Sequence, residues 1–233
     1  MKFAIGQFQA SRDLDYNIKK ASDVARLALE KDVDLLCYTE WFAGQKPFID
    51  IHNHFTNQMM LDAKRGQITI VSGTYVISST LEETTHSAVV IDDRGEIIGI
   101  QDKLFLYKNE RGIVTPGKTL EAFPTKWGKI SVLCGLTSLD VNSHQQAIDK
   151  KADIIVMQYS FRNEGEKDQV KEMVLDLSRM SAPIVVVAAH LGLVGKSVCI
   201  GKGIIAHSGE QLVEGINAEE LVMTDIDRPS SQS

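Results

Sequence analysis

Short apolar runs rich in β-branched residues alternate along this chain with stretches of helical period, and that alternation limits the folds open to it. Residues 2–9 alternate in strand fashion. Residues 15–31 then set Ile18, Ala21, Val24, Ala25 and Ala28 on one side and Lys19, Lys20, Asp23 and Arg26 largely on the other. A period of 3.6 residues marks an amphipathic helix and a period of two marks a half-buried strand. Further strands are predicted at 33–38, 68–77, 87–91, 96–100, 129–134, 153–158, 184–189, 202–206, 210–214 and 221–226, and helices at 56–65, 142–151 and 166–181. Asp92-Asp93-Arg94-Gly95 and His207-Ser208-Gly209 read as hairpin turns. Strands that alternate with helices, with hairpins among them, imply an α/β fold: a mixed sheet system covered by helices. Two sheets between two helical layers fit the strand count.

The chain has 233 residues, 43% of them hydrophobic and 24% charged, enough for a core of its own. No linker, repeat or low-complexity stretch divides it, so one domain is expected over residues 1–227, followed by a Pro/Ser-rich tail, 228–233, expected to fray. A net charge of -6 offers no basic field for nucleic acid. No window approaches the ~18 uncharged apolar residues of a membrane span. Residues 1–7 read as a strand without a signal-peptide pattern, so a cytoplasmic location away from membranes is the expectation. Cys37, Cys134 and Cys199 lie far apart with no CxxC, a poor framework for disulfides or zinc. Each is therefore a core residue or a nucleophile; Cys37 reads as core, and Cys199 as core or loop. His52 and His54 stand two apart on an expected loop without a third ligand, too little for a metal site. They are expected at a pocket mouth or in solvent.

Three segments carry a more specific pattern. Val33-Asp34-Leu35-Leu36-Cys37-Tyr38-Thr39-Glu40 is an apolar strand closed by a glutamate. Residues 99–117 hold Gln101-Asp102-Lys103, then Glu110, then Thr115-Pro116-Gly117. Gly128-Lys129-Ile130-Ser131-Val132-Leu133-Cys134-Gly135 is a strand running into a cysteine. In this order they resemble the nitrilase, or carbon–nitrogen hydrolase, superfamily. Its corresponding segments end in Phe-Pro-Glu, run from Tyr-Arg-Lys through a second glutamate to Pro-Gly, and read Gly-Lys-Ile-Gly-x-x-Ile-Cys-Tyr-Asp. Weaker likenesses include the turn at 93–96, the strand at 152–159, Arg179 near the family's Arg-Ala helix, His190-Leu191-Gly192 in place of Asn-x-x-Gly, and the hairpin at 201–210. The likeness covers residues 1–227.

The resemblance implies a four-layer αββα sandwich of nitrilase type, a homodimer, and no metal or organic cofactor. It also implies hydrolysis of a small amide or nitrile-like molecule by a Glu-Lys-Cys site. Glu40 falls on the general base, Lys103 on the oxyanion-stabilising lysine, and Glu110 on a supporting glutamate; Cys134 is the nearby cysteine. The chemistry needs these types. A thiolate attacks an amide carbon better than water does. A carboxylate takes the thiol proton and later activates water. An ammonium stabilises the oxyanion and lowers the thiol pKa.

One departure matters. Aligned without gaps, the family nucleophile position is Gly135; Leu136-Thr137 stand at Tyr-Asp, and Asp140-Val141-Asn142 at the Phe-Pro-Glu that follows. A one-residue shift in a strand turns a side chain to the other face, and Cys134 shares its face with Ile130 and Val132. Two readings stay open. Either Cys134 is core and the protein is a non-catalytic relative that binds a ligand or partner, or a bulge at Gly135 turns Cys134 toward Glu40 and Lys103 for amidase-type chemistry. Thr137 or Ser138 as substitute nucleophile would need stronger activation.

Overall fold

Successive side chains of a strand point to opposite faces, so a strand apolar throughout must be covered on both. The central strands here are of that kind. The computed structural model describes residues 1–43, 48, 50–78, 84–181 and 183–227; the expected frayed tail, 228–233, lies outside the described residues. The elements in chain order are β1 (Lys2–Gln7), α1 (Leu14–Glu30), β2 (Leu35–Tyr38), α2 (His54–Gly66), β3 (Thr69–Val71), β4 (Tyr75–Ser78), β5 (Thr84–Ile91) and β6 (Ile97–Asp102). There follow β7 (Phe123–Thr125), β8 (Gly128–Cys134), α3 (Val141–Asp149), β9 (Ile154–Tyr159), α4 (Glu164–Arg179) and β10 (Ile184–Ala189). The chain closes with β11 (Leu191–Val194), β12 (Ser197–Ile200), β13 (Ile204–His207), β14 (Glu210–Glu214) and β15 (Glu220–Asp225).

One large sheet has the order β15-β1-β2-β3-β5-β4, with β6 also on β5; a second has the order β14-β13-β10-β9-β8-β7; β11 and β12 pair as a separate two-stranded ribbon. The central strands β1, β2 and β3 run parallel, as do β8, β9 and β10, and the outer strands are antiparallel. Three apolar clusters fill the three interfaces of four layers. Ala4, Leu36 and Tyr38 pack against Val24 and Ala28 of α1 and Met59 of α2. Phe3, Ile5, Leu35 and Cys37 meet Ile130, Val132 and Cys134 between the sheets. Leu133, Ile155 and Met157 meet Ala147 of α3 and Val170 and Val174 of α4. The architecture is therefore the αββα sandwich.

Helix starts follow capping chemistry. Asp13, Asn53, Asp140 and Asn163 each accept a backbone N–H of the first turn of their helix. The Asn53 cap makes His54 the first residue of α2 rather than part of a loop, and both His52 and His54 are exposed.

The single strand expected over 68–77 is two strands. After Val71 the chain turns at Ser72-Gly73-Thr74, and only glycine fits at 73, where a Cβ would stand 2.1 Å from the Thr39 carbonyl oxygen. The Ser72 hydroxyl accepts the Val89 amide, and the Thr74 carbonyl accepts the Trp41 amide. The break thus braces the turn that carries Glu40 and Trp41.

Candidate active site

The carboxyl ends of parallel strands gather functional groups because the chain leaves the sheet there, freeing side chains and backbone groups. Four such ends converge: β2 leads to Glu40, β8 to Gly135, β9 to Ser160 and β10 to His190. Lys103 follows β6, held by a ladder-like bond from its amide to the His86 carbonyl on β5.

Glu40, Lys103 and Glu110, remote in sequence, come together in a buried cluster. The Lys103 ammonium donates to Glu40 Oε1 and to Glu110 Oε1, each at 2.8 Å. His86 Nδ1 donates to Glu110 Oε1 at 2.9 Å, and the Tyr107 amide donates to Glu110 Oε2 at 2.7 Å. Ser160 donates to Glu40 Oε2 at 3.2 Å, and His190 Nδ1 donates to the Glu40 carbonyl at 2.8 Å. The ammonium also lies 3.3 Å from His86 Nδ1, 4.6 Å from the ring centre of Tyr107 and 5.7 Å from that of Trp41. Trp41 in turn covers His86 at 4.1 Å between ring centroids. Removing Lys103 would leave two buried carboxylates without their shared cation, a change of the kind that costs ~3–5 kcal/mol in buried pairs.

The charges are fixed by these contacts. Burial pushes the Glu110 carboxyl up, but the hydrogen bond from His86 and the charge of Lys103 outweigh it and hold the carboxyl at about 2. Burial pulls Lys103 down, and Glu40 and Glu110 more than compensate, so its pKa is raised. Burial lowers the His86 pKa despite the bond to Glu110, with the Lys103 charge adding to the drop, so the neutral imidazole is favoured. His86 Nε2 and His190 Nε2 are buried without a hydrogen-bond partner among the described residues.

Gly135 opens the 3₁₀ turn Gly135–Leu139 directly after β8, with φ +56°. A left-handed residue at a strand-to-helix junction is the geometry that thrusts a nucleophile out of a sheet. A Cβ at position 135 would stand 2.3 Å from Lys103 Cε, and 2.8 Å from both Lys103 Nζ and Glu40 Oε1. The position therefore points straight at the cluster, with no side chain to deliver.

Cys134 does not join the cluster. The β8–β9 ladder stays in register from Ile130↔Ile154 through Cys134↔Gln158, with no bulge to turn it. Its thiol lies in the core between the sheets, 3.9 Å from the Gln101 carbonyl and 3.7 Å from Gln158 Oε1. Burial raises its pKa well above the ordinary thiol range; the Lys103 charge only partly opposes this. The two hydroxyls of the turn are engaged elsewhere. Thr137 Oγ1 accepts the Leu104 and Phe105 amides at 3.1 and 3.2 Å, and Ser138 donates to the Leu133 carbonyl at 2.7 Å. Arg179 is exposed at the end of α4 and pairs with Asp176, away from the site.

Above the cluster is a cavity of about 630 Å³ whose wall includes Glu40, Glu110, Trp41, Tyr107, Ser160 and Cys199, with Arg162 and Lys196 also lining it. Among the described residues, neither Lys103, Gly135 nor Cys134 is part of the wall. Cys199 is thus a cavity residue. Burial, with the nearby charge of Glu40, raises its thiol to about 11.

A model of the carbon–nitrogen hydrolase family matches residues 2–232. The chain belongs to that family. Solved structures agree on the fold. A carbon–nitrogen hydrolase from Helicobacter pylori superposes with a TM-score of 0.87 at 17% identity, covering 97% of this chain and 89% of that one. A nitrilase-superfamily protein of Saccharomyces cerevisiae gives 0.87 at 16% identity, covering 96% and 89%. An amidase from a Nesterenkonia species gives 0.85 at 18% identity, covering 97% and 92%. In a glutamate-to-glutamine mutant of that amidase the acetamide moiety of fluoroacetamide is covalently added at the active-site cysteine. No curated protein matches the sequence.

Within this family frame, Trp41, His86, Tyr107, Ser160 and His190 complete the surroundings of Glu40, Lys103 and Glu110. Spacing alone singles out none of them. The alternation of His86-Ser87-Ala88-Val89-Val90-Ile91 is the one local signal, since it sets His86 on the same side of β5 as Ala88 and Val90.

Proposed function

We propose that this carbon–nitrogen hydrolase family member is a ligand-binding protein that holds a small molecule in the Glu40–Glu110 cavity and does not perform cysteine-dependent hydrolysis. The observation that carries this reading is the glycine at 135: a side chain there would start 2.8 Å from both Glu40 Oε1 and Lys103 Nζ, and the position has none. Acyl transfer by this family's route needs a nucleophile and an oxyanion donor facing the same carbonyl carbon. Here the elbow is glycine, the neighbouring thiol faces the core, and the ammonium is taken up by two carboxylates. A cavity of about 630 Å³ is of ordinary size for a small ligand.

The test is ammonia release from a panel of short aliphatic amides and nitriles, run beside Cys134→Ala. The expected result is no release above buffer for either protein. Turnover by the unaltered chain that Cys134→Ala abolishes, with the fold intact, contradicts the reading and restores the amidase alternative.

A further inference from the structure

The wall of the cavity and the cluster behind it differ in charge. Glu40 and Glu110 place two carboxylates on the wall, and the Lys103 ammonium that bonds both is 0% exposed and lies behind them. One ammonium does not neutralise two carboxylates, so the inner part of the wall carries a net negative charge in a region poorly reached by water. Burial in such a region makes an uncompensated charge costly, and a ligand that supplies the opposite sign gains most there. Two ring systems, Trp41 and Tyr107, also line the cavity. Their negatively charged faces favour cations as well. The Glu40 carboxylate retains accepting capacity at Oε2, whose one bond among the described residues is from Ser160 at 3.2 Å.

The cationic side chains of the wall lie at its solvent-exposed part. Arg162 is exposed beyond the end of β9, and Glu166 approaches it only at 3.8 Å. Lys196 is exposed in the turn between β11 and β12. Charge therefore changes sign from the inner wall to the rim. A neutral amide uses neither end fully, and a simple anion is repelled by the inner one.

From this layout we propose that the cavity takes a small zwitterion, its organic ammonium inward against Glu40, Glu110, Trp41 and Tyr107 and its carboxylate outward at Arg162 and Lys196. The proposal rests on the ligand-binding reading in taking the cavity as the site. It deepens that reading by naming a ligand class chemically distinct from amides and nitriles.

The test is calorimetric titration of the intact protein near neutral pH with four chains of equal length: 4-aminobutyrate, butylamine, butyramide and butyrate. The expected order is 4-aminobutyrate tightest, then butylamine, with butyramide and butyrate weaker than butylamine by about tenfold or more. Glu40→Gln keeps the shape and removes a charge, and is expected to collapse the preference for butylamine over butyramide. Arg162→Gln combined with Lys196→Gln alters only exposed side chains, and is expected to bring 4-aminobutyrate down to the affinity of butylamine. Butyramide binding as tightly as butylamine, or neither cation binding, overturns the proposal; so does either variant leaving its ratio unchanged. Butyramide that binds and is cleaved defeats the ligand-binding reading. Butyramide that binds best and stays intact defeats only the zwitterion.

Discussion

Lys103 Cε lies 2.3 Å from where Gly135 would carry a Cβ, so a side chain added at 135 meets the flexible end of the lysine and displaces it. With glycine at 135, nothing reaches the cluster from the elbow, while the lysine holds Glu40 and Glu110 together.

Replacing Gly135→Cys puts a thiol back into the space. The position is left-handed, at φ +56°, which costs a non-glycine residue ~1–2 kcal/mol, and Lys103 must also give way. The expected outcome is a fall in stability of about 2–3 kcal/mol by urea denaturation. A new thiol that alkylates in the native state should appear with it. A folded variant whose new thiol labels only after unfolding shows that position 135 does not face the site.

Lys103→Met leaves Glu40 and Glu110 buried without their shared cation, at an expected cost of ~3–5 kcal/mol near neutral pH. The pH dependence should also change sign. In the unaltered protein the Glu110 carboxyl is depressed to about 2, so its stabilising share is full above the ordinary carboxyl value of 4.5 and is lost as pH falls toward 2. In the variant one carboxyl is raised by burial beside the other, takes up a proton more readily when folded, and stability rises as pH falls toward 5. Parallel pH profiles for the two proteins, measured by urea denaturation, would refute the shared ion cluster.

His86 gives the unaltered protein a second acid-sensitive element. Its folded pKa is depressed, chiefly by burial, so the unfolded chain binds the extra proton first as pH drops below 6.5. Stability contributed by neutral His86 is complete above 6.5 and is lost as pH falls through the lower folded value. His86→Gln is expected to flatten the fall of Tm between pH 6.5 and 5.5, whatever its effect at neutral pH. An unchanged slope would mean that His86 titrates as an ordinary imidazole.

Thr137→Val keeps the shape of the turn after Gly135 and removes the hydroxyl that accepts the Leu104 and Phe105 amides. The expected cost is about 1–3 kcal/mol. Faster hydrogen exchange should concentrate at those two amides, next to Lys103. Exchange that rises evenly across the sheet instead would assign Thr137 a general packing role.

The layers were legible because β8 and its neighbours alternate between two apolar cores. Ile130, Val132 and Cys134 read as one face, and they occupy one. The same arithmetic put Gly135, not Cys134, on the elbow. The meeting of Glu40 with Lys103, 63 residues apart, was not legible from spacing. It follows from parallel strand order and β5–β6 pairing, and only the family pattern anticipated it. Lys108, Asn109 and Arg111 surround Glu110 in sequence, a polar context that does not signal burial; its burial depends on His86 and on the Tyr107 amide, contacts made by folding. The break at Ser72-Gly73-Thr74 was hidden in an apolar run because its cause is the distant Thr39 carbonyl. Cys199 faces the cavity because β11 and β12 fold back over it, which local pattern does not encode.

No thiol serves this site from the elbow, and alkylation by iodoacetamide near neutral pH, read by peptide mass spectrometry, is the sharpest test of that. Cys134 and Cys37 are expected to label only after denaturation, while Cys199, on the cavity wall, labels slowly in the native protein. Fast native labelling of Cys134 that persists below neutral pH and is slowed by Lys103→Ala would contradict it, because that is the behaviour of an activated nucleophile.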